Sequence, residues 1–214
     1  MNIEFLVEDE STKIALQNLL PKMLPGHVKW SIHPFQGKHD LLKKLPTRLK
    51  GYRKIGNEHK IVVILDRDLN DCHELKQQLE RIARSVGFTT KSQADNNADY
   101  KVMNRIAIEE LEAWFFGDNN ALSEAFPGVP TTLYKKAKFR NPDLIQGTCE
   151  QLETVLKRAG YYKTGLDKRE ASRKISEYMN PRSNRSKSFQ VFRAGLNHMV
   201  QNLDRQNVNG AIDA

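Results

Sequence analysis

The stretch KIVVILDRDLND, residues 60–71, decides the fold class. Its apolar, β-branched half predicts a strand buried on both faces, which is typical of a parallel sheet. Three aspartates, Asp66, Asp68 and Asp71, follow where this strand ends. Ligands of parallel α/β sheets bind outside the carboxyl ends of the strands, so a functional site is expected here.

The residues around this strand alternate between strand and helix patterns. Strands are predicted at residues 2–8, 28–35, 60–66 and 101–108. Helices are predicted at 11–24, with Ser11 or Thr12 near the cap, and at 39–54, 72–87 and 109–118. This order predicts an α/β, Rossmann-like fold with a mainly parallel four-stranded sheet flanked by helices.

Two prolines and a glycine in the stretch FPGVPTT, residues 126–132, mark a change in organisation. We expect an α/β domain at residues 1–126 and a helical extension at 127–214 packed on it. Helical patterns cover residues 131–139, 142–162, 167–179 and 188–203, and residues 205–214 look frayed.

The positive charge lies in the second part of the chain. Residues 1–130 hold 18 Lys and Arg against 18 Asp and Glu, whereas residues 131–200 hold 15 against 6. A basic face of this kind favours a polyanion partner, nucleic acid first. The alternative is a solvated helical surface.

Several classes of protein are not indicated. The chain has no apolar stretch of about 18 residues and no basic leader, so neither a membrane span nor secretion is expected, and a cytoplasmic location is predicted. Cys72 and Cys149 stand far apart, and the six histidines have no zinc-ligand spacing. No Walker loop and no GxSxG elbow occurs.

Asp66 and Asp68 are candidate metal ligands. Two carboxylates at one strand tip repel each other unless a cation or a proton compensates. Mg²⁺ commonly takes one or two protein carboxylates together with waters and phosphate oxygens. Asp71 is better explained as the N-cap of the next helix, although a metal role stays open.

Two further acidic clusters follow predicted strands. Glu8 ends the first strand, and Glu109, Glu110 and Glu112 follow the fourth. Three of four strands therefore deliver carboxylates to the same edge of the sheet. Asp9 and Glu10 are interpreted as first-turn acids that the helix dipole favours.

In FLVEDES, residues 5–11, and ILDRD, residues 64–68, the chain resembles the Toprim superfamily. That family has a glutamate after its first strand and a DxD after its third. The stretch IEELEAWFFGD, residues 108–118, is similar to a stand-alone bacterial branch related to overcoming-lysogenisation-defect nucleases. The resemblance covers roughly residues 1–120. Asp9 departs from the glycine that many Toprim proteins carry after the glutamate.

The resemblance implies a Toprim-like fold and phosphodiester chemistry with Mg²⁺ or Mn²⁺, in a setting of bacterial phage defence. Asp66 and Asp68 would hold the ion, and Glu8 would hold an ion or act as general acid and base. Glu112, with Glu109, would complete a second metal site.

Basic residues of the C-terminal helices would neutralise a nucleic-acid backbone. The candidates are Lys163, Lys168, Arg173, Arg182 and Arg185. Tyr161 and Tyr162 either stack on a base or close the helical core. Trp114, Phe115 and Phe116 are expected in the core.

Two other functions stay open. One is a catalytically silent Toprim-fold subunit that binds nucleic acid or a partner ATPase, because Asp9 replaces the usual glycine. The other is a haloacid-dehalogenase-like phosphatase, which also has an apolar strand followed by DxD. The sequence leaves two further questions open: whether the protein acts alone or with a partner, and which oligomeric state it adopts.

Overall fold

The computed structural model describes residues 1–56, 58–68, 70–94 and 99–210. The described strands are β1 (Asn2–Val7), β2 (Lys29–Pro34), β3 (His59–Asp66) and β4 (Val102–Ala107). They form one sheet in the order β2-β1-β3-β4, and every neighbouring pair is parallel. The predicted α/β fold with a parallel four-stranded sheet flanked by helices is confirmed.

Eight α-helices lie in the described part of the chain. They are α1 (Glu10–Met23), α2 (Lys38–Gly51), α3 (Cys72–Ser85), α4 (Glu112–Phe116), α5 (Asn119–Ala125), α6 (Thr148–Arg158), α7 (Lys168–Tyr178) and α8 (Lys187–Gly210). None of them is both long enough and apolar enough to cross a membrane.

The helices cover both faces of the sheet. Leucines of α2 and α3 pack on Leu6, Val63 and Leu65 and form one apolar cluster. The other face, with Ile3 and Phe5, packs on α1 and on the helices after β4. Strands covered on both sides read as continuous apolar runs, which is why residues 60–66 identify the sheet so clearly.

The second apolar cluster extends from the sheet to the C-terminal helix. The Trp114 ring lies 5.2 Å from the rings of both Phe189 and Phe192. Trp114, Phe115 and Phe116 are all buried, as predicted. The residues before and after position 126 therefore share one hydrophobic core.

Several helix boundaries depart from the prediction. Asp9, not Ser11 or Thr12, is the N-cap of α1, because its carboxylate accepts the Thr12 N–H at 2.8 Å. The predicted helix at 131–139 is wrong. Short 3₁₀ turns at Leu133–Lys135 and Ala137–Phe139 stand there, because prolines flank the segment. The predicted helix at 142–162 is also too long: it consists of a 3₁₀ turn at Pro142–Leu144 and of α6, which begins only after Gly147 with its left-handed φ of 59°.

The tail prediction also needs correction. Helix α8 continues to Gly210, where residues 205–210 were expected to be frayed. Residues 211–214 of that prediction lie outside the described residues.

Candidate metal centre

Glu8 and Asp66 meet at the carboxyl edge of the sheet. Glu8 follows β1, Asp66 ends β3, and these two strands are neighbours. A Glu8 carboxylate oxygen accepts the Asp66 backbone N–H at 3.1 Å. The two carboxyl groups therefore lie closer than the ~10 Å beyond which they could not share one ion.

Asp66 lies in an electrostatic environment that disfavours its negative charge. Its pKa is raised well above the ordinary value, first because protein atoms surround the carboxyl group and then because of the negative charge on Glu112 and Glu8. Asp9 and Asp68 act in the same direction. An arrangement of this kind favours a proton or a cation at Asp66.

The Glu8 carboxyl group also has a raised pKa. Burial is the largest cause, and the Asp66 N–H and the nearby Lys38 ammonium oppose it. The charges of Asp68 and Asp9 raise this pKa further. Glu8 and Asp66 thus belong to one interacting group of carboxylates.

Asp68 contacts a cation that sequence reasoning missed. The Lys38 ammonium donates to the Asp68 carboxylate at 2.6 Å, to the Asn70 side-chain oxygen at 2.8 Å and to the Arg67 carbonyl at 3.1 Å. Asp68 itself has a left-handed φ of 48°. In the sequence, this contact is indicated only by the position of Lys38, which follows β2, a strand that ends without a carboxylate.

The three glutamates that follow β4 lie in three different environments. Glu109 forms an ion pair with Arg67. Glu110 accepts from the Thr148 hydroxyl and the Cys149 N–H, both at 2.9 Å, and so ties α6 to the segment after β4. Glu112 is buried, and its charge acts on Asp66. Of the three, Glu112 is the one whose charge raises the pKa of Asp66, whereas Glu109 lines a surface cleft together with Asp68.

Burial raises the pKa of Glu112 to about 7, and the Lys168 ammonium, 3.8 Å away, opposes this shift. For Lys168 itself, burial lowers the pKa, but the neighbouring Glu112 and Cys149 outweigh burial and raise it. The Cys149 thiol has a pKa of about 11, mainly because of burial. The Lys168 side chain therefore lies beside Glu112 while it stays 45% exposed, and its contact with nucleic acid stays a prediction.

We call Glu8, Asp66, Asp68 and Glu112 the carboxylate cluster. Within the described residues, no three His, Cys, Asp or Glu side chains form a ready-made metal site. Lys38 engages Asp68, Lys168 lies beside Glu112, and Glu8 accepts the Asp66 N–H. The donor set still suits a hard divalent ion, since it consists of carboxylate oxygens with incomplete charge compensation.

Asp71, the third aspartate after β3, has a capping role. Asp71 is the N-cap of α3 and accepts the N–H groups of His73 and Glu74 at 2.7 and 3.0 Å. These bonds, with that of Glu74 first, hold the Asp71 pKa below its usual value. The capping interpretation of Asp71 is confirmed.

The other predicted nucleic-acid residues fall into two groups. Lys163, Arg173 and Arg182 are exposed. The Arg185 guanidinium instead donates to the carbonyls of Arg140 and Phe116 at 3.1 and 3.3 Å and fixes the surrounding backbone.

The tyrosine pair packs on a core aromatic ring. Tyr161 and Tyr162 meet Phe126 edge to face, with ring centres 4.9 and 5.7 Å apart. The Tyr161 hydroxyl also donates to the Pro127 carbonyl at 3.1 Å. Of the two interpretations of this pair, the core role fits the contacts.

A family model described as a domain of unknown function, DUF4276, matches residues 7–197. The chain belongs to the DUF4276 family. No curated protein and no solved structure matches the chain. In this DUF4276 protein the matched residues include the whole carboxylate cluster and both lysines that contact it.

Proposed function

We propose that this DUF4276 protein is a divalent-metal-dependent phosphodiesterase that cleaves nucleic acid. The observation that carries the proposal is the convergence of Glu8, Asp66 and Glu112 from the ends of three strands. All three have raised pKa values, with burial as the largest cause. Perturbed carboxyl groups grouped at a sheet edge are typical of functional sites.

The proposed roles follow the positions of the side chains. Asp66 and Asp68 would hold Mg²⁺ or Mn²⁺, and Glu112 would contribute to a second site. Glu8 would hold an ion or act as general acid and base. A bound ion of this type activates water and stabilises the charge that develops on a phosphate.

The lysines and Glu112 have proposed roles of their own. Lys38 and Lys168 hold positive charge beside Asp68 and Glu112, where a phosphate group would need neutralisation. Glu112, with a pKa of about 7, exchanges a proton near neutral pH, which suits acid–base catalysis.

The substrate class is inferred from charge. Residues 131–200 carry a surplus of nine positive charges, from 15 Lys and Arg against 6 Asp and Glu. Phosphate backbones are the polyanions that such a surface attracts first. A role in bacterial phage defence stays a prediction from the Toprim resemblance.

The test compares the wild type with Asp66→Asn on single-stranded DNA, double-stranded DNA and RNA, with Mg²⁺ or Mn²⁺. We expect the wild type to cleave at least one substrate and the variant to lose roughly 100-fold or more in rate, because a neutral amide cannot replace the carboxylate. Gel analysis of labelled oligonucleotides measures the cleavage rates of the wild type and of the variant.

Asp71→Asn is the matched control. It changes the same residue type in the same loop, and asparagine caps a helix as well as aspartate does. Cleavage should be retained in this control. Cleavage retained by Asp66→Asn, or absent from the wild type with every substrate and metal, would contradict the proposal.

A silent subunit is the second candidate, and a specific observation favours it. Lysines already engage Asp68 and approach Glu112. A silent protein would bind nucleic acid or a partner ATPase but gain no thermal stability from Mg²⁺ or Mn²⁺. A metal-binding enzyme would gain stability by mass action. Hydrolysis of small phosphate esters alone would instead support the phosphatase.

A further inference from the structure

Residues 131–147, TTLYKKAKFRNPDLIQG, connect the sheet domain to α6, and we call them the basic connector. Their four cations are all exposed: Lys135, Lys136, Lys138 and Arg140. None of these four forms an ion pair with any residue that the structure describes. Their charge is therefore available to an external anion.

The one acid of the connector is already engaged. Asp143 accepts from the Ser186 hydroxyl at 2.7 Å and from the Ser188 N–H at 2.9 Å, at the start of α8. Its carboxylate thus serves the helix start, and it pairs with none of the connector cations.

The connector backbone is held in place by the core. Leu133, Phe139 and Ile145 are buried, and the Phe139 ring stacks on Phe116 at 5.2 Å between centres. The Arg185 guanidinium donates to the Arg140 carbonyl at 3.1 Å. The cations therefore extend from a fixed scaffold, which reduces the entropy lost on binding.

The connector leads to the carboxylate cluster. A surface cleft that includes Lys138, Arg140 and Gln146 adjoins a second cleft that includes Gln146, Gly147 and Asp68. Gln146 lines both clefts. Asp68 in turn acts electrostatically on Asp66. A continuous surface thus runs from the unpaired cations to the proposed catalytic carboxylates.

Two large side chains beside the cations remain accessible. Leu144 is 76% exposed and Tyr134 is 38% exposed. The Arg185 guanidinium lies 5.0 Å from the centre of the Tyr134 ring. Aromatic and apolar side chains among cations bind unpaired bases, whereas a duplex offers mainly its phosphates.

We propose that the basic connector binds a single nucleic-acid strand and guides it to the carboxylate cluster. Lys138 and Arg140 contact phosphates, and Tyr134 and Leu144 contact bases. The guiding role rests on the proposed nuclease function, but the binding itself does not depend on catalysis or on a metal.

The test measures the binding of a fluorescent single-stranded DNA or RNA oligonucleotide to the full chain by anisotropy, in EDTA and over a range of salt. We expect Lys138→Ala/Arg140→Ala to bind roughly tenfold more weakly at low salt. The slope of log affinity against log salt should fall by about 0.7 for each lost phosphate contact.

Lys50→Ala/Lys54→Ala is the matched control. Both lysines are exposed, and they lie at the end of α2 and in the turn before β3, at the opposite edge of the sheet. The control removes the same charge and should bind nearly as the wild type does.

Several outcomes would overturn the inference. They are wild-type affinity in the connector variant, an equal loss in the control, no binding by the wild type, or tighter binding of a duplex of the same sequence. Connector-dependent binding without any cleavage in Mg²⁺ or Mn²⁺ would support the inference while it contradicts the nuclease proposal.

Discussion

At the residue scale, Glu112 shows how burial gives a carboxyl group a functional pKa. It is 3% exposed, and Lys168 at 3.8 Å compensates only part of the cost of its negative charge. The pKa of Glu112 therefore rises from its ordinary value of 4.5 to about 7. The folded protein therefore holds a proton on Glu112 at pH values where the unfolded chain has lost it.

This difference predicts a pH-dependent stability. Between about pH 4.5 and 7 the folded state binds more protons than the unfolded state, so the free energy of unfolding falls as pH rises. Glu112→Gln removes this decrease in the free energy of unfolding, because glutamine does not titrate. At pH 8 without divalent ions we expect the variant to be more stable by up to about 3 kcal/mol, with little gain at pH 4.

Urea denaturation of both proteins at pH 4 and 8 measures the difference. Glu124→Gln is the control, because Glu124 is exposed on α5, and it should leave the pH dependence unchanged. Equal effects of Glu112→Gln at the two pH values would contradict the burial argument.

At the element scale, the start of α1 combines a structural and an electrostatic role in Asp9. Its carboxylate caps the helix by accepting the Thr12 N–H at 2.8 Å. Its negative charge also raises the pKa of Glu8, Asp66 and Glu112. Asp9 thus stabilises the helix and adds further negative charge to the carboxylate cluster.

Two substitutions separate these roles. Asp9→Ala loses the cap and should cost about 1 kcal/mol of stability, whereas Asp9→Asn keeps the cap and removes the charge. At pH 8 without metal we expect the asparagine variant to be at least as stable as the wild type. Thermal unfolding measures the stability of both variants. An equal loss of stability in the two variants would show that the charge of Asp9 matters and its cap does not.

At the scale of the whole molecule, the C-terminal helix completes the core of the sheet domain. Phe192 on α8 is fully buried, and its ring stacks on Trp114 at 5.2 Å between centres. Trp114 belongs to α4, the helix that also carries Glu112. The helical part of the chain therefore supports the helix that positions one of the proposed ligands.

Phe192→Ala should destabilise the whole protein by about 3–5 kcal/mol, because it opens a cavity between α4 and α8. Val191→Ala on the same helix is the control, since Val191 is 43% exposed and should change stability by about 0.5 kcal/mol or less. Chemical denaturation compares them. A small effect of Phe192→Ala would mean that α8 is a separable extension.

The sheet and the acids at its edge can be predicted from the amino-acid sequence alone. A continuous apolar run at residues 60–66 and a strict strand–helix alternation permit few arrangements other than a parallel sheet. The carboxyl ends of parallel strands share one edge, so Glu8 and Asp66 are predictable neighbours without coordinates. The sheet and the proximity of these two acids depend on local sequence pattern and on chain order, and both can be read directly from the sequence.

Which acids interact, and which cations neutralise them, depends on the three-dimensional packing and cannot be predicted from the sequence. Glu109, Glu110 and Glu112 have similar sequence surroundings, yet Glu109 pairs with Arg67 and Glu110 accepts a hydrogen bond from the start of α6. Glu112 instead acts electrostatically on Asp66. Lys38 and Lys168 reach the cluster from distant parts of the chain. Contacts of this kind depend on side-chain direction and on the packing of separate elements, and neither leaves a periodic signal in the sequence.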